Sequence, residues 1–256
     1  MNLRNLPVAV FDSGVGGISV LRELTHRMPR EKFLYFGDCA NAPYGTKTTE
    51  LVRELTCRAV EDLLTQGVKA VVVACNTATS AAIEDLRRAH PDTILVGIEP
   101  ALQRAAERHP RGKILVMATD VTLREGKFRE LMARFSGSHP VEGIHCPGLV
   151  ERIEGGQLEG PEMEDYLRSL LVPHLTGDTA AVVLGCTHYP FAAPALRRVL
   201  GESIDLIDGG EGTARETERR LAAAGLLRES GDGEVMFRSS DNRAQTLSLM
   251  EHLLES

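Results

Sequence analysis

Two cysteines stand out because each follows directly on an apolar segment and precedes polar side chains. Cys75 follows KAVVVA (69–74), and Cys186 follows AAVVLG (180–185). A cysteine thiol has a pKa of about 8.5, which a helix N-terminus or a nearby cation lowers, so it can exchange protons near neutral pH. Two such thiols on opposite sides of one carbon could remove a proton from one face and return a proton to the other. That is the chemistry of racemisation without a cofactor.

Groups that bind carboxylates accompany both cysteines. They are Ser13, Asn76, Thr77, Thr187 and His188. Donors around an α-carboxylate stabilise the enediolate that forms when the α-proton leaves, as an oxyanion hole stabilises a tetrahedral intermediate. Histidine titrates near neutral pH, so His188 is also a candidate for activating Cys186.

The other three cysteines, Cys39, Cys57 and Cys146, carry no comparable pattern. Free cysteine is usually buried and behaves as a small apolar residue, which is the interpretation we give to these three. The total of five is odd and contains no CxxC pair. This usage is typical of reduced thiols and predicts a cytoplasmic protein.

The elements that position the two thiols follow from alternating apolar runs and amphipathic stretches. Strands are predicted at 7–11, 33–37, 69–74, 94–98, 113–118, 180–185 and 204–208. Helices are predicted near 16–28, 48–66, 77–90, 99–109, 123–135, 190–200 and 211–224. Continuous apolar strands separated by helices indicate an α/β fold with doubly wound parallel sheets. Ligands of such sheets bind beyond the carboxyl ends of the strands, which is where both cysteines lie.

Internal similarity indicates two related halves. Residues 69–80 resemble 179–190, since each has an apolar strand, then a cysteine and a threonine, then a helix. Residues 8–17 resemble 204–213, since each has an apolar strand, an aspartate and glycines that open a helix. Self-similarity of this kind favours two domains of one type.

The predicted domains are 1–97 with 207–256, which carries Cys75, and 98–206, which carries Cys186. We expect a pseudo-twofold axis to relate them and the active site to lie in the cleft between them.

Composition excludes several classes of protein. The chain has 256 residues and a net charge of −7, with no Lys or Arg run longer than two, so no nucleic-acid partner is expected. No apolar run approaches a membrane span, and no signal peptide is recognisable. No ligand spacing for a metal occurs. None of the five lysines lies where a pyridoxal phosphate Schiff base would need it, so we predict no cofactor.

At the cysteines the sequence resembles the glutamate racemase family, within the aspartate/glutamate racemase superfamily. The resemblance covers nearly the whole chain and rests on five segments in the family's order and spacing. They are FDSGVGG (11–17), YFGDCANAPYGTKT (35–48), ACNTATS (74–80), GCTHYP (185–190) and IDGGEG (207–212).

The resemblance implies roles for individual residues. The family's catalytic cysteines correspond to Cys75, which would take the α-proton of the D-enantiomer, and Cys186, which would take that of the L-enantiomer. Asp12 would assist Cys75, and His188 would assist Cys186. The substrate-binding positions would be Asp12, Ser13, Tyr44, Gly45, Asn76, Thr77, Thr122, Thr187 and His188.

A further family glutamate corresponds to Glu154, within CPGLVERIEGG (146–156). This segment departs from the family pattern, because Glu151 and Arg152 replace a proline and an apolar residue. The resemblance also implies a cytoplasmic homodimer that supplies D-glutamate for peptidoglycan and needs neither pyridoxal phosphate nor a metal.

Three alternatives remain open from the residues. The first is a racemase for aspartate, because the sequence does not reveal the size of the pocket. The second is a small-molecule binding protein in which the cysteines are chemically silent. The third is a redox protein with a regulatory disulfide between Cys75 and Cys186, which their separate contexts and the absence of CxxC disfavour.

Overall fold

A computed structural model describes residues 3–98, 101–124, 126–135, 137 and 139–255 of the chain. The chain divides into two compact units. Unit 1 comprises Met1–Glu99 and Gly210–Ser256, and unit 2 comprises Pro100–Gly209. Elements are numbered along the whole chain.

Unit 1 is built on a parallel sheet of five strands. They are β1 (Val8–Asp12), β2 (Lys32–Gly37), β3 (Ala70–Val73), β4 (Ile94–Gly97) and β9 (Glu234–Ser239), in the order β4-β3-β1-β2-β9. Its helices are α1 (Ile18–Arg27), α2 (Thr49–Thr65), α3 (Asn76–Ala89), α10 (Gly210–Ala223) and α11 (Ala244–Glu255). Every residue of β1 and β3 is buried, as expected of central strands covered on both faces.

Unit 2 is built on a parallel sheet of four strands. They are β5 (Lys113–Ala118), β6 (Val141–His145), β7 (Thr179–Leu184) and β8 (Asp205–Asp208), in the order β6-β5-β7-β8. Its helices are α4 (Leu102–Arg108), α5 (Asp120–Arg124), α6 (Gly126–Phe135), α7 (Leu149–Glu154), α8 (Pro161–Leu171) and α9 (Ala193–Leu200).

The two sheets repeat one strand order. Unit 1 without β9 is β4-β3-β1-β2, and unit 2 in the same direction is β8-β7-β5-β6. The strands that precede Cys75 and Cys186, β3 and β7, are therefore equivalent. Residues 8–17 and 204–213 are similar in sequence, but they are not equivalent positions of the two units. β1 lies inside its sheet, whereas β8 lies at the edge of the other sheet. The equivalent of β1 is β5, and that of β8 is β4.

The two-domain α/β class is confirmed, and each of the seven predicted strands is present. Two edge strands, β6 and β9, were not predicted. The stretch predicted as one helix near 123–135 covers the end of α5 and the whole of α6. Within the described part of the chain, no helix combines the length and apolarity that a membrane span requires.

Candidate active site

Cys75 lies at the carboxyl end of β3 and forms the N-cap of α3. Its thiol sulfur accepts a hydrogen bond from the backbone N–H of Ala78 at 3.4 Å and lies 3.4 Å from the hydroxyl of Ser13. The side chain is buried, with 5% of the residue exposed. The N-terminus of a fourteen-residue helix carries a partial positive charge, so this position favours a thiolate.

Asp12, the last residue of β1, is completely buried beside this cysteine segment. Its Oδ1 accepts a hydrogen bond of 2.9 Å from the backbone N–H of Gly14. A Cβ at Gly17 would lie 2.6 Å from the Cβ of Asp12, so the turn can pack against the aspartate only with glycine there. Gly17 thus allows Asp12 to occupy the end of the sheet.

The remaining predicted residues of unit 1 follow β2 and β3. Asn76 and Thr77 are buried in the first turn of α3. Tyr44 is buried and donates from its hydroxyl to Asp38 Oδ2 at 2.6 Å, and Gly45 follows it in a short 3-10 turn. Burial raises the pKa of Tyr44, and the bond to Asp38 and the charges of Asp38, Cys75 and Asp12 raise it further. The phenol therefore stays protonated and close to the cysteine segment.

Cys186 occupies the equivalent position in unit 2, two residues after β7. Its sulfur lies 3.7 Å from Nδ1 of His188, and Nε2 of His188 lies 2.9 Å from Oε1 of Glu154. The imidazole is 5% exposed and the Glu154 side chain 35% exposed. The three side chains form a continuous Cys–His–Glu series, although Glu154 is 34 residues away from His188 in the chain.

Two further predicted binding residues lie at the carboxyl end of the unit 2 sheet. Thr187 is buried directly after Cys186. Thr122 is completely buried, and its hydroxyl lies 3.2 Å from that of Thr119, which follows β5. By the strand register, Thr119 after β5 corresponds to Ser13 after β1, and Thr122 lies three residues further on, in α5.

Three buried groups next to these clusters were not predicted to be site residues. Asp38, directly after β2, accepts hydrogen bonds from Tyr44 and from Asn41 Nδ2. In unit 2, Cys146 and Tyr189 are buried close to Cys186. Burial raises the pKa of Cys146 to about 12, so this thiol is protonated at any assay pH. The position of Asp38 at a strand end was the one local signal available.

The predicted site residues thus form two clusters. The unit 1 cluster contains Asp12, Ser13, Tyr44, Gly45, Cys75, Asn76 and Thr77, and the unit 2 cluster contains Thr122, Glu154, Cys186, Thr187 and His188. Among the residues that the structure describes, no three His, Cys, Asp or Glu side chains form a group able to hold a metal ion.

Comparison with known proteins gives one consistent result. The family model for Asp/Glu/hydantoin racemases matches residues 18–217. The glutamate racemase of Clostridium novyi is 48% identical over 256 residues, which is 99% of each chain. The crystal structure of Thermus thermophilus glutamate racemase in complex with β-chloro-D-alanine aligns with a TM-score of 0.85 at 36% identity, covering 99% of this chain and 94% of that one. The Francisella tularensis glutamate racemase in complex with D-glutamate aligns with a TM-score of 0.88 at 27% identity, covering 99% and 95%.

The fold and the two cysteine clusters therefore define a racemase of the two-domain α/β type, and the chain belongs to the Asp/Glu/hydantoin racemase family. Its relatives described above, which match over nearly their full length, are glutamate racemases.

Proposed function

We propose that this protein interconverts L- and D-glutamate without a cofactor, with Cys75 and Cys186 as two acid/base thiols. The observation that carries the proposal is that both cysteines follow equivalent strands, β3 and β7, and that each sulfur has its own polar partners. The relatives support the assignment of glutamate as the substrate. They are glutamate racemases that match this chain over almost their whole length, and one of them is in complex with D-glutamate.

In the direction from D to L, the Cys75 thiolate removes the α-proton and becomes a thiol. The Cys186 thiol then donates its proton to the opposite face of the carbanion and becomes a thiolate. The helix amide of Ala78 and the Ser13 hydroxyl support the negative charge on Cys75 in the resting state. Asp12, which is buried at the end of β1, assists Cys75 in this proton transfer. Deprotonation of Cys75 and reprotonation of Cys186 restore the starting state, so the cycle needs no oxidant or reductant.

In the direction from L to D, Cys186 is the base and His188 assists it. A carboxylate only accepts hydrogen bonds, so Nε2 of His188 carries the proton that binds Glu154. Nδ1 of the neutral imidazole is then the acceptor that faces the Cys186 sulfur. It can take the thiol proton, and Glu154 stabilises the imidazolium that results.

The donors around the two cysteines fit the two carboxylates of glutamate. We assign Ser13, Asn76, Thr77, Thr122, Thr187 and the Tyr44–Gly45 turn to substrate binding. A hydrogen-bonded α-carboxylate carries the charge of the enediolate better than a solvated one, because the donors are already oriented. The buried hydroxyl of Tyr44 is held by Asp38, so its part is to fix the turn.

In the cell, we propose that the protein acts in the cytoplasm as a homodimer and supplies D-glutamate for peptidoglycan. Complementation of a D-glutamate auxotroph tests the role in cell-wall synthesis, and light scattering on the purified protein tests the dimer.

The activity is tested by proton NMR of L-glutamate in D₂O with purified protein, a chelator and no added cofactor. We expect the Cα–H signal to disappear and D-glutamate to appear on chiral analysis. Exchange of L-aspartate in place of L-glutamate would transfer the proposal to the aspartate racemase alternative. Absence of exchange with both substrates would contradict the proposal and leave the binding-protein alternative.

A further inference from the structure

Helix α7 carries Glu154, yet the helix itself contributes little to holding that residue in place. It has six residues, begins after Gly148 in the left-handed conformation with φ 77°, and has no side-chain cap. So short a helix is unstable on its own, because few hydrogen bonds offset the cost of its first turn. Glu154 is also its last residue, where the helix dipole disfavours a carboxylate. The position of Glu154 against His188 must therefore be set by contacts from outside the helix.

Tyr166 of α8 supplies two of these contacts. Its hydroxyl donates a hydrogen bond of 2.7 Å to the carbonyl oxygen of Pro147, just before α7 begins. Its ring lies under the guanidinium of Arg152, with 4.7 Å from Cζ to the ring centroid, which is the geometry of a cation–π contact. One side chain thus holds both the entry and the middle of α7.

Arg152 is held in turn by the residues that follow the helix. Its Nη1 donates to Oε1 of Gln157 at 2.8 Å, and Nε2 of Gln157 donates to Glu162 in the first turn of α8 at 2.6 Å. The guanidinium is therefore fixed on one side by the ring and on the other by an amide. These contacts connect α7 to α8 at three points around Glu154.

We propose that Arg152 and Tyr166 are positioning residues, which orient Glu154 and through it the His188 imidazole that serves Cys186. This proposal rests on the proposed two-thiol function. Arg152 stands at a position where the resemblance expects an apolar residue, so the contact with Tyr166 is a feature of this chain. Neither residue touches the substrate in this assignment, and Cys75 does not depend on them.

The two directions of the reaction separate a positioning role from a general loss of stability. Because the equilibrium constant between enantiomers is one, kcat/KM falls equally in both directions, whichever cysteine is affected. The isotope effects differ by direction. If proton transfer at Cys186 becomes slower, the primary isotope effect with 2-deuterated L-glutamate rises, since Cys186 removes that proton. The effect with 2-deuterated D-glutamate moves towards one, since reprotonation becomes the slow step.

The experiment compares Arg152→Gln and Tyr166→Phe with the control Arg198→Gln. Arg198 pairs with Glu164 of α8 and with Glu159, so the control also removes an arginine contact to this region without touching α7. We expect about a tenfold fall in kcat/KM for Arg152→Gln, equivalent to about 1.4 kcal/mol in the barrier, and opposite shifts of the two isotope effects. Arg152→Lys, which keeps the cation above the ring, should recover part of the rate.

Unchanged kcat/KM values in Arg152→Gln and Tyr166→Phe would overturn the proposal. A fall in kcat/KM that leaves both isotope effects equal to those of the wild type and the control would overturn it as well. The His188 Nε2–H resonance in nitrogen-15 NMR reads the bond to Glu154 without turnover. We expect it to shift in Arg152→Gln and to stay in Arg198→Gln, and an unshifted resonance would contradict the positioning role. A wild-type protein that exchanges no α-proton would instead contradict the proposed function, so the two failures are distinguishable.

Discussion

At the scale of single residues, the two cysteines differ in how their environment supports a thiolate. The sulfur of Cys75 receives a backbone N–H from α3 and lies next to the Ser13 hydroxyl, so its support is a set of fixed dipoles. The sulfur of Cys186 faces an imidazole that is bonded to Glu154, so its support is a hydrogen-bonded pair of side chains. The proposed two-base mechanism tolerates this difference because each thiol needs only to exchange one proton per turnover.

Removal of either thiol tests the mechanism directly. We expect Cys75→Ser and Cys186→Ser each to lower kcat by about 10² to 10⁴-fold, the usual contribution of a general acid or base, because a serine hydroxyl is far less acidic than a thiol. The measurement is the rate of racemisation followed by circular dichroism in both directions. Cys57→Ser is the control, since Cys57 lies in the middle of α2, and it should retain the wild-type rate. Full activity in either active-site variant would refute the two-thiol mechanism.

At the scale of elements, the turn between β1 and α1 is the place where sequence and geometry agree most closely. Asp12 is completely buried, and Gly17 lies directly against it. A side chain at Gly17 would push the aspartate away from the end of the sheet. The glycine is thus required by a close approach and not by an unusual φ.

Gly17→Ala should therefore lower both stability and activity. The added methyl group meets the Cβ of Asp12 at 2.6 Å, and overpacking of this kind costs about 1–3 kcal/mol. Urea denaturation measures the loss. Gly212→Ala in the first turn of α10 is the matched control, because nothing lies within 4 Å of its new Cβ. That variant should be neutral or more stable by up to about 1 kcal/mol, as alanine replaces glycine in a helix. Equal effects of the two substitutions would argue against the close packing of Asp12.

At the scale of the whole molecule, unit 1 is made from two distant parts of the chain. A buried ion pair in the first part connects them through hydrogen bonds to the backbone of the second part. Nζ of Lys69 donates to Glu31 Oε2 at 2.5 Å, to the carbonyl of Arg4 at 2.8 Å and to that of Leu226 at 3.0 Å. The other carboxylate oxygen of Glu31 accepts the backbone N–H of Arg228 at 2.7 Å. Both side chains are at most 2% exposed. Burial lowers the pKa of Lys69, and the bond to Glu31 offsets part of that shift.

Lys69→Met should destabilise unit 1 by about 3–5 kcal/mol, because Glu31 then remains as a buried charge without its cation. The free energy of unfolding in urea gives the loss. The double variant Lys69→Met with Glu31→Gln should regain a substantial part of it, since the uncompensated charge is gone. A single variant that unfolds at the wild-type urea concentration would show that the pair does not hold the returning segment.

The amino-acid sequence alone determined the features that depend on neighbouring residues. Apolar runs predicted the inner strands, and the change from apolar to polar residues at Cys75 and Cys186 marked both strand ends. The two strands that were missed lie at sheet edges. In β9 exposed and half-buried positions alternate and only the last residue is buried, and in β6 one residue of five is buried, so neither has the continuous apolar run of a central strand.

Only the tertiary structure decided which distant residues meet. The similarity of residues 8–17 and 204–213 was a local likeness, whereas strand order shows that β1 corresponds to β5. The bond between His188 and Glu154 spans 34 positions, and that between Lys69 and Glu31 spans 38. No local pattern predicts such pairs, because they form when buried polar groups on separate elements must find partners to offset the cost of leaving water.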